Sequence, residues 1–203
     1  MKALPLFAAF SGSLLLSSGC LSKPALVKET FALTGPGNAA VPVAKNALAP
    51  LGIKSFSVAP AYENRSFLYR IADETFEQDP YAELLVPPSR LMPNVFRAHL
   101  RATGVFKSII DPGSSFTPVL NAEITVSEFY GDLRKPEQPA AVLTMRFLVL
   151  HTTAPVSQEP FFQGEISRHI PIRSRTAAAL AAGWNQALKE IASEFAASLQ
   201  SRP

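Results

Sequence analysis

Apolar and polar side chains alternate most cleanly from Leu120 to Ser127, where Leu120, Ala122, Ile124 and Val126 interleave with Asn121, Glu123, Thr125 and Ser127. A period of two places these sets on opposite faces of a strand, one buried and one wet. Ala141, Leu143, Met145, Phe147 and Val149 repeat the pattern, with the charged stretch Gly131 to Pro139 as the connection. Phe161 to Ile172 reads as a third strand, and short connections between neighbours predict an antiparallel meander. The period changes near the end of the chain. Leu180, Trp184, Leu188, Ile191, Phe195 and Leu199 recur at spacings of three and four between Arg175 and Gln200, which predicts a long helix lying on one sheet face. Gly183 beside Trp184 is costly inside a helix and points to a close backbone approach there.

The first half of the chain is more broken. Glu29 to Leu33 predicts a first strand, and the prolines and glycines between Thr34 and Gly52 predict an irregular connection. Ile53 to Ala59 and Phe67 to Ala72 carry strand composition, and the turn-like Pro60 to Arg65 between them predicts a hairpin. Asp79-Pro80 is read as the start of a short helical turn ended by Pro87-Pro88. A longer helix follows from a Ser89 cap to Thr103, with Met92, Phe96 and Leu100 on its core face and Gly104 as its stop. Val105 to Ile110 is a short strand before the turn at Asp111-Pro112-Gly113. The sum is about seven strands and two main helices: an α+β domain with a mixed, largely antiparallel sheet and two main helices packed against it.

The N-terminus differs in kind. Met1-Lys2 is followed by fourteen uncharged residues, Ala3 to Leu16, too few for a bilayer core that needs about 20 apolar positions but right for a signal peptide. The run ends Leu16-Ser17-Ser18-Gly19-Cys20, and Cys20 is the single cysteine of the chain. This resembles the lipobox of bacterial lipoproteins, with Ser17 where the usual large aliphatic residue stands. The resemblance implies cleavage of residues 1–19, a diacylglyceryl and an N-acyl lipid on Cys20, a short tether over 20–28 and a folded domain over 29–203. Leu21 after the cysteine, in place of the aspartate that retains lipoproteins at the inner membrane, implies a periplasmic protein anchored to the outer membrane.

Composition narrows the remaining chemistry. Of 203 residues, 19 are basic and 16 acidic, for a net charge of +3. The basic residues are scattered, so nucleic acid is not an expected partner. One cysteine forbids an internal disulfide. His99, His151 and His169 are far apart and without ligand spacing, no Gly-x-Ser-x-Gly turn is present, and no glycine-rich phosphate loop precedes a helix, so neither metal, cofactor nor catalysis is expected. Glu74, Glu77 and Asp79 read as a solvated acidic run. The segment with recognition character is Pro60 to Arg70, where Tyr62, Arg65, Tyr69 and Arg70 crowd together, since aromatic and arginine side chains are enriched at interfaces.

The order of these features resembles the auxiliary lipoprotein family of ABC-type transport systems that accompany MCE-type lipid transporters, including the paraquat-inducible system. The resemblance rests on the lipobox at Cys20, on Phe31-Ala32-Leu33, and on Val58-Ala59-Pro60 leading through Arg65 to Leu68-Tyr69-Arg70. It continues through Pro87-Pro88, Leu91, and Leu100 to Gly104-Val105-Phe106, and through Ile124 to Phe129 and Leu143 to Leu150. Leu84-Leu85 stand where many relatives carry an aromatic. It implies a non-catalytic accessory subunit, able to form homo-oligomers, that helps phospholipid or another hydrophobic molecule pass between inner and outer membranes. The implied partners are an MCE-domain protein and the ABC permease and ATPase of the same system. An assembly lipoprotein for lipopolysaccharide or outer-membrane proteins is the alternative, with an envelope hydrolase behind it.

Overall fold

The computed structural model describes residues 27–37, 42–153 and 159–202. The signal segment, Cys20 and all of the 20–28 tether except Val27 and Lys28 lie outside the described residues. The described chain forms β1 (Glu29–Phe31), β2 (Leu51–Val58), a 3-10 turn (Pro60–Tyr62), β3 (Ser66–Arg70), β4 (Phe76–Leu84) and α1 (Pro88–Thr103). It continues with β5 (Ile109–Ile110), β6 (Leu120–Asp132), β7 (Ala140–His151), β8 (Phe162–Pro171) and α2 (Ala177–Gln200). The architecture is the expected α+β domain, with one mixed sheet of eight strands.

The long strand β6 organises the sheet. Antiparallel β7 runs along its whole length, from Leu120 opposite His151 to Asp132 opposite Ala140, and β8 pairs antiparallel beyond β7, as the alternating pattern predicts. Two strands share the other side of β6. β2 lies parallel to Leu120–Val126, and β3 lies parallel to Gly131 and Asp132. β5 borders β2, while β4 pairs antiparallel with β3 and carries β1 at the margin.

Three local features differ from the sequence expectation. β2 and β3 do not form a hairpin: both run parallel to β6, because the 3-10 turn at Pro60–Tyr62 moves the chain forward instead of reversing it. Asp79-Pro80 does not start a helical turn but lies within β4. The β3–β4 register jumps from Leu68 opposite Gln78 to Ser66 opposite Glu83, and Pro80 falls in that irregularity, where no ladder N–H is required of it. Asp79 Oδ1 accepts from the N–H groups of Tyr81 and Ala82 at 2.7 and 3.1 Å, holding the bulged segment. The cap of α1 also differs. Pro87 is the N-cap, Pro88 opens the helix with a pre-set φ, and the Ser89 hydroxyl donates instead to Glu63 Oε1. Gly104, at φ 65°, ends the helix as expected, in a left-handed conformation open to glycine at little cost.

Both helices pack on one sheet face. Met92, Phe96 and Leu100 of α1 and the predicted stripe of α2 are buried there with the inward residues of β6 and β7. Aromatic rings join the layers: Phe195 stacks on Phe147 at 4.3 Å between centroids, Phe96 lies 5.9 Å from Phe147, and Trp184 lies 4.1 Å from Phe129 and 4.9 Å edge-on to Phe67. The predicted close approach at Gly183 is present, since a Cβ there would lie 2.6 Å from that of Ala141.

α1 also carries His99, only 9% exposed. Its Nε2 is buried without a hydrogen-bond partner. Burial first, and the Lys189 ammonium second, hold this imidazole below the ordinary histidine range, against an opposing contribution from the Thr34 backbone. A base whose folded pKa is lowered stabilises the fold while neutral, so the folded state loses stability as pH drops through the unfolded value of about 6.5. The melting temperature is therefore expected to fall between pH 7 and pH 5, and His99→Leu should flatten that dependence. Thermal melts across this range provide the check; an equal slope in the variant would assign the acid sensitivity elsewhere.

Candidate functional site

Strand alternation decides which of the four singled-out side chains can meet. Tyr69 faces the helices: Gly131 on the neighbouring strand leaves so little room that a Cβ there would come within 3.0 Å of the Tyr69 ring and 2.9 Å of Leu180 on α2. The Tyr69 hydroxyl donates to Asp79 Oδ2 at 2.6 Å, and burial followed by that carboxylate pushes its pKa up. Arg70, the next residue, points to the opposite face. Arg65 is engaged at the margin, with Nη2 2.6 Å from Glu83 Oε1 and Nε donating to the Leu84 carbonyl at 2.9 Å. Tyr62 and Arg70 do converge, and they do so around residues outside the segment.

The centre of this cluster is Tyr130, 2% exposed although it lies on the sheet face away from both helices. Tyr62 stacks against it at 6.1 Å and 23°, and Phe76 meets it edge-on at 5.5 Å and 89°. The Arg70 guanidinium carbon lies 5.7 Å from the Phe76 centroid and 5.9 Å from that of Tyr130, while Nη1 reaches the Tyr130 hydroxyl at 3.4 Å. Arg70 is also anchored from behind, donating from Nε and Nη2 to the Asp73 carbonyl at 3.1 and 2.5 Å. Arg134 joins Asp73 and Asp132 at 2.9 and 2.7 Å, tying the β3–β4 turn to the β6–β7 turn. That contact holds the Asp132 carboxyl below its usual range.

Beneath the rings, Thr144 Oγ1 donates to Glu128 Oε2 at 2.6 Å and lies 2.8 Å from Ser167 Oγ. Burial, then Glu128 and Tyr130, raise the Tyr62 pKa, with Arg70 opposing, so the phenol stays protonated at neutral pH. The arrangement is a platform in which buried Tyr130 backs the surface formed by Tyr62, a phenylalanine 39% exposed and an anchored arginine. Such groups give large contact area at low cost in side-chain freedom, and Arg over aromatic rings keeps its charge available to a partner.

Sequence reasoning did not pick out Tyr130, Phe76 or Glu128. Strict alternation from Leu120 would send Glu128 and Tyr130 into the core. A register shift between Val126 and Glu128 inverts the phase, so that Phe129 turns inward and Tyr130 outward. Phe76 stands inside the acidic run, and the one available signal was the aromatic itself. Glu74, Glu77 and Asp79 do not assemble a cation site; among the described residues no group of three or more acidic, histidine or cysteine side chains is placed to hold a metal. His99, His151 and His169 belong to α1, β7 and β8 respectively. Among the described residues, no helix is long and apolar enough to cross a membrane.

No family model matches the chain, and no curated protein matches it. Solved structures do. Protein XCC0632 from Xanthomonas campestris, of family DUF330, superposes with a TM-score of 0.65 at 20% identity, covering 83% of this chain and 92% of that one. A crystal structure of an uncharacterized protein gives 0.67 at 13% identity, covering 85% and 99%. The PelC dodecamer subunit from Paraburkholderia phytofirmans aligns over 84% and 95% at 14% identity, with a TM-score of 0.43. At these identities the first two likenesses establish the fold, and the α+β domain described above is one that XCC0632 shares over nearly its whole length.

Proposed function

We propose that this protein is a non-catalytic, lipid-anchored periplasmic accessory subunit of an ABC-type, MCE-linked transporter that moves phospholipid or another hydrophobic molecule between inner and outer membranes. The acyl chains on Cys20 localise the domain at the outer membrane, and the exposed sheet face binds the MCE-domain partner, raising its effective concentration there. The observation that carries this reading is the platform of Tyr62, Arg70 and Phe76 backed by Tyr130, because it is assembled by contacts within this chain and faces away from both helices. It is also built in part from the Val58 to Arg70 stretch on which the family resemblance rests.

Capture experiments test the reading. The full-length lipidated protein, immobilised from detergent-solubilised envelopes, is expected to retain the MCE-domain component. Interface hot spots of Tyr and Arg cost about 2 kcal/mol or more on truncation, so Tyr62→Ala and Arg70→Ala together should weaken capture by at least about tenfold. Arg65→Ala, which alters only the sheet margin, should retain it. Equal capture by the double variant, or no MCE component on the parent protein, would overturn the assignment.

A further inference from the structure

On the opposite side of the molecule a groove of about 670 Å³ lies between α1 and α2, crossed by the segment after β1. Gly35 allows that segment to lie directly on α1, for a Cβ there would be 2.9 Å from the Ala98 Cβ. The Thr34 N–H donates to Asn185 Oδ1 at 2.8 Å, which fixes the amide orientation and leaves Asn185 Nδ2 as a donor on the groove wall. His99 forms part of the wall with its unpartnered nitrogen behind it.

The charges lining the groove are unequal in their commitments. Glu190 is engaged twice, by Arg168 Nε at 3.1 Å and by Gln186 Nε2 at 2.8 Å. Lys189 forms no ion pair and its ammonium no side-chain hydrogen bond among the described residues. The Thr34–Pro36 segment brings no titratable group, so Lys189 and Glu190 are the charged groups that share the groove with His99. The uncommitted charge is thus one ammonium, joined by one amide NH₂ on the same helix, in a concavity sized for a small molecule.

The geometry points to this groove as a binding site for a phosphate-type anion, a phosphomonoester or phosphodiester head held by Lys189 Nζ and Asn185 Nδ2. The volume exceeds what a bare ion fills and leaves room for the carbon portion of a headgroup. An anion at Lys189 also offsets the ammonium's repulsion of a protonated His99, so ligand binding and protonation of His99 reinforce each other.

That linkage supplies the test, which is independent of partner capture. The imidazole signals of the purified full-length protein, held in neutral glycoside micelles, are titrated with inorganic phosphate, with glycerol 3-phosphate and with phosphatidylglycerol added to the micelles. A bound anion is expected to raise the His99 midpoint by about half a pH unit or more, leaving His151 and His169 unmoved. Lys189→Gln, on the helix surface, should raise the midpoint of the free protein and abolish the response to anion; Lys54→Gln, remote from the groove, should retain it. A response to all three probes identifies a free-phosphate site, and a response at least about tenfold tighter for phosphatidylglycerol identifies a lipid headgroup site. No shift of His99 with any probe, or an undiminished shift in Lys189→Gln, would overturn the proposal.

Discussion

Replacing Trp184 by alanine is expected to remove about 3–5 kcal/mol of folding stability, the range for deletion of a large aromatic from a packed core. The indole is fully buried and touches three strands of the sheet: it lies against Phe129 of β6 and Phe67 of β3, and its N–H donates to the carbonyls of Val142 in β7 and Tyr130 in β6 at 3.2 and 3.4 Å. The surroundings cannot close over the gap, because Gly183 already brings the helix backbone into contact with Ala141. A domain of this size is stable by about 5–15 kcal/mol, so the loss is a large share of the whole. Trp184→Phe, which keeps most of the apolar volume and gives up the N–H donor, should cost markedly less. Urea unfolding of the parent and both variants measures the difference. A loss under about 1 kcal/mol for Trp184→Ala would mean that the sheet and α2 are not held together at this point.

The other large effect concerns location. Cys20→Ser is expected to move the protein from the membrane pellet to the soluble fraction of the envelope. Each buried methylene of an acyl chain contributes about 0.8 kcal/mol, so two or three chains make release negligible while none leaves the domain free. The described residues offer no substitute anchor in the form of an apolar spanning helix. Intact mass of the parent should show a chain starting at Cys20 and carrying diacylglycerol and an acyl group. A parent protein with unmodified sulfur, or a Cys20→Ser variant that still sediments with membranes, would remove the tether from the proposed role.

The sheet meander and both helices were legible because each obeys a single period over enough residues. Leu120, Ala122, Ile124 and Val126 line one face of β6, and Leu180 through Leu199 one face of α2, so local pattern and tertiary burial agree. Legibility failed where a short-range signal had two meanings. Pro80 reads as a breaker, yet a register irregularity accommodates it inside β4. Pro60 to Arg65 reads as a reversal, yet the 3-10 turn continues the chain along β6. For the candidate site, Tyr62 and Arg70 were visible as residue types, whereas Arg65 and Tyr69 were grouped with them by proximity in sequence alone. Alternation along β3 sends Tyr69 toward α2 and Arg70 toward the open face, and a sum of residue types over a segment carries no information about which side each one takes.

What the sequence by itself determined is the class of the domain, the two amphipathic helices, the strand meander and the position of the single thiol, all of which follow from periodicity and from the placement of one residue. Only the tertiary structure decided which side chains act together. The bulge in β6 inverts the phase of the strand and brings Tyr130 out to meet Tyr62, Phe76 and Arg70, and the packing of α1 on α2 sets His99 beside Lys189. The physical reason is that periodicity is a local property of a few successive residues, whereas a site is formed by register between segments far apart in the chain, and one inserted residue in a ladder is enough to exchange the two faces of a strand.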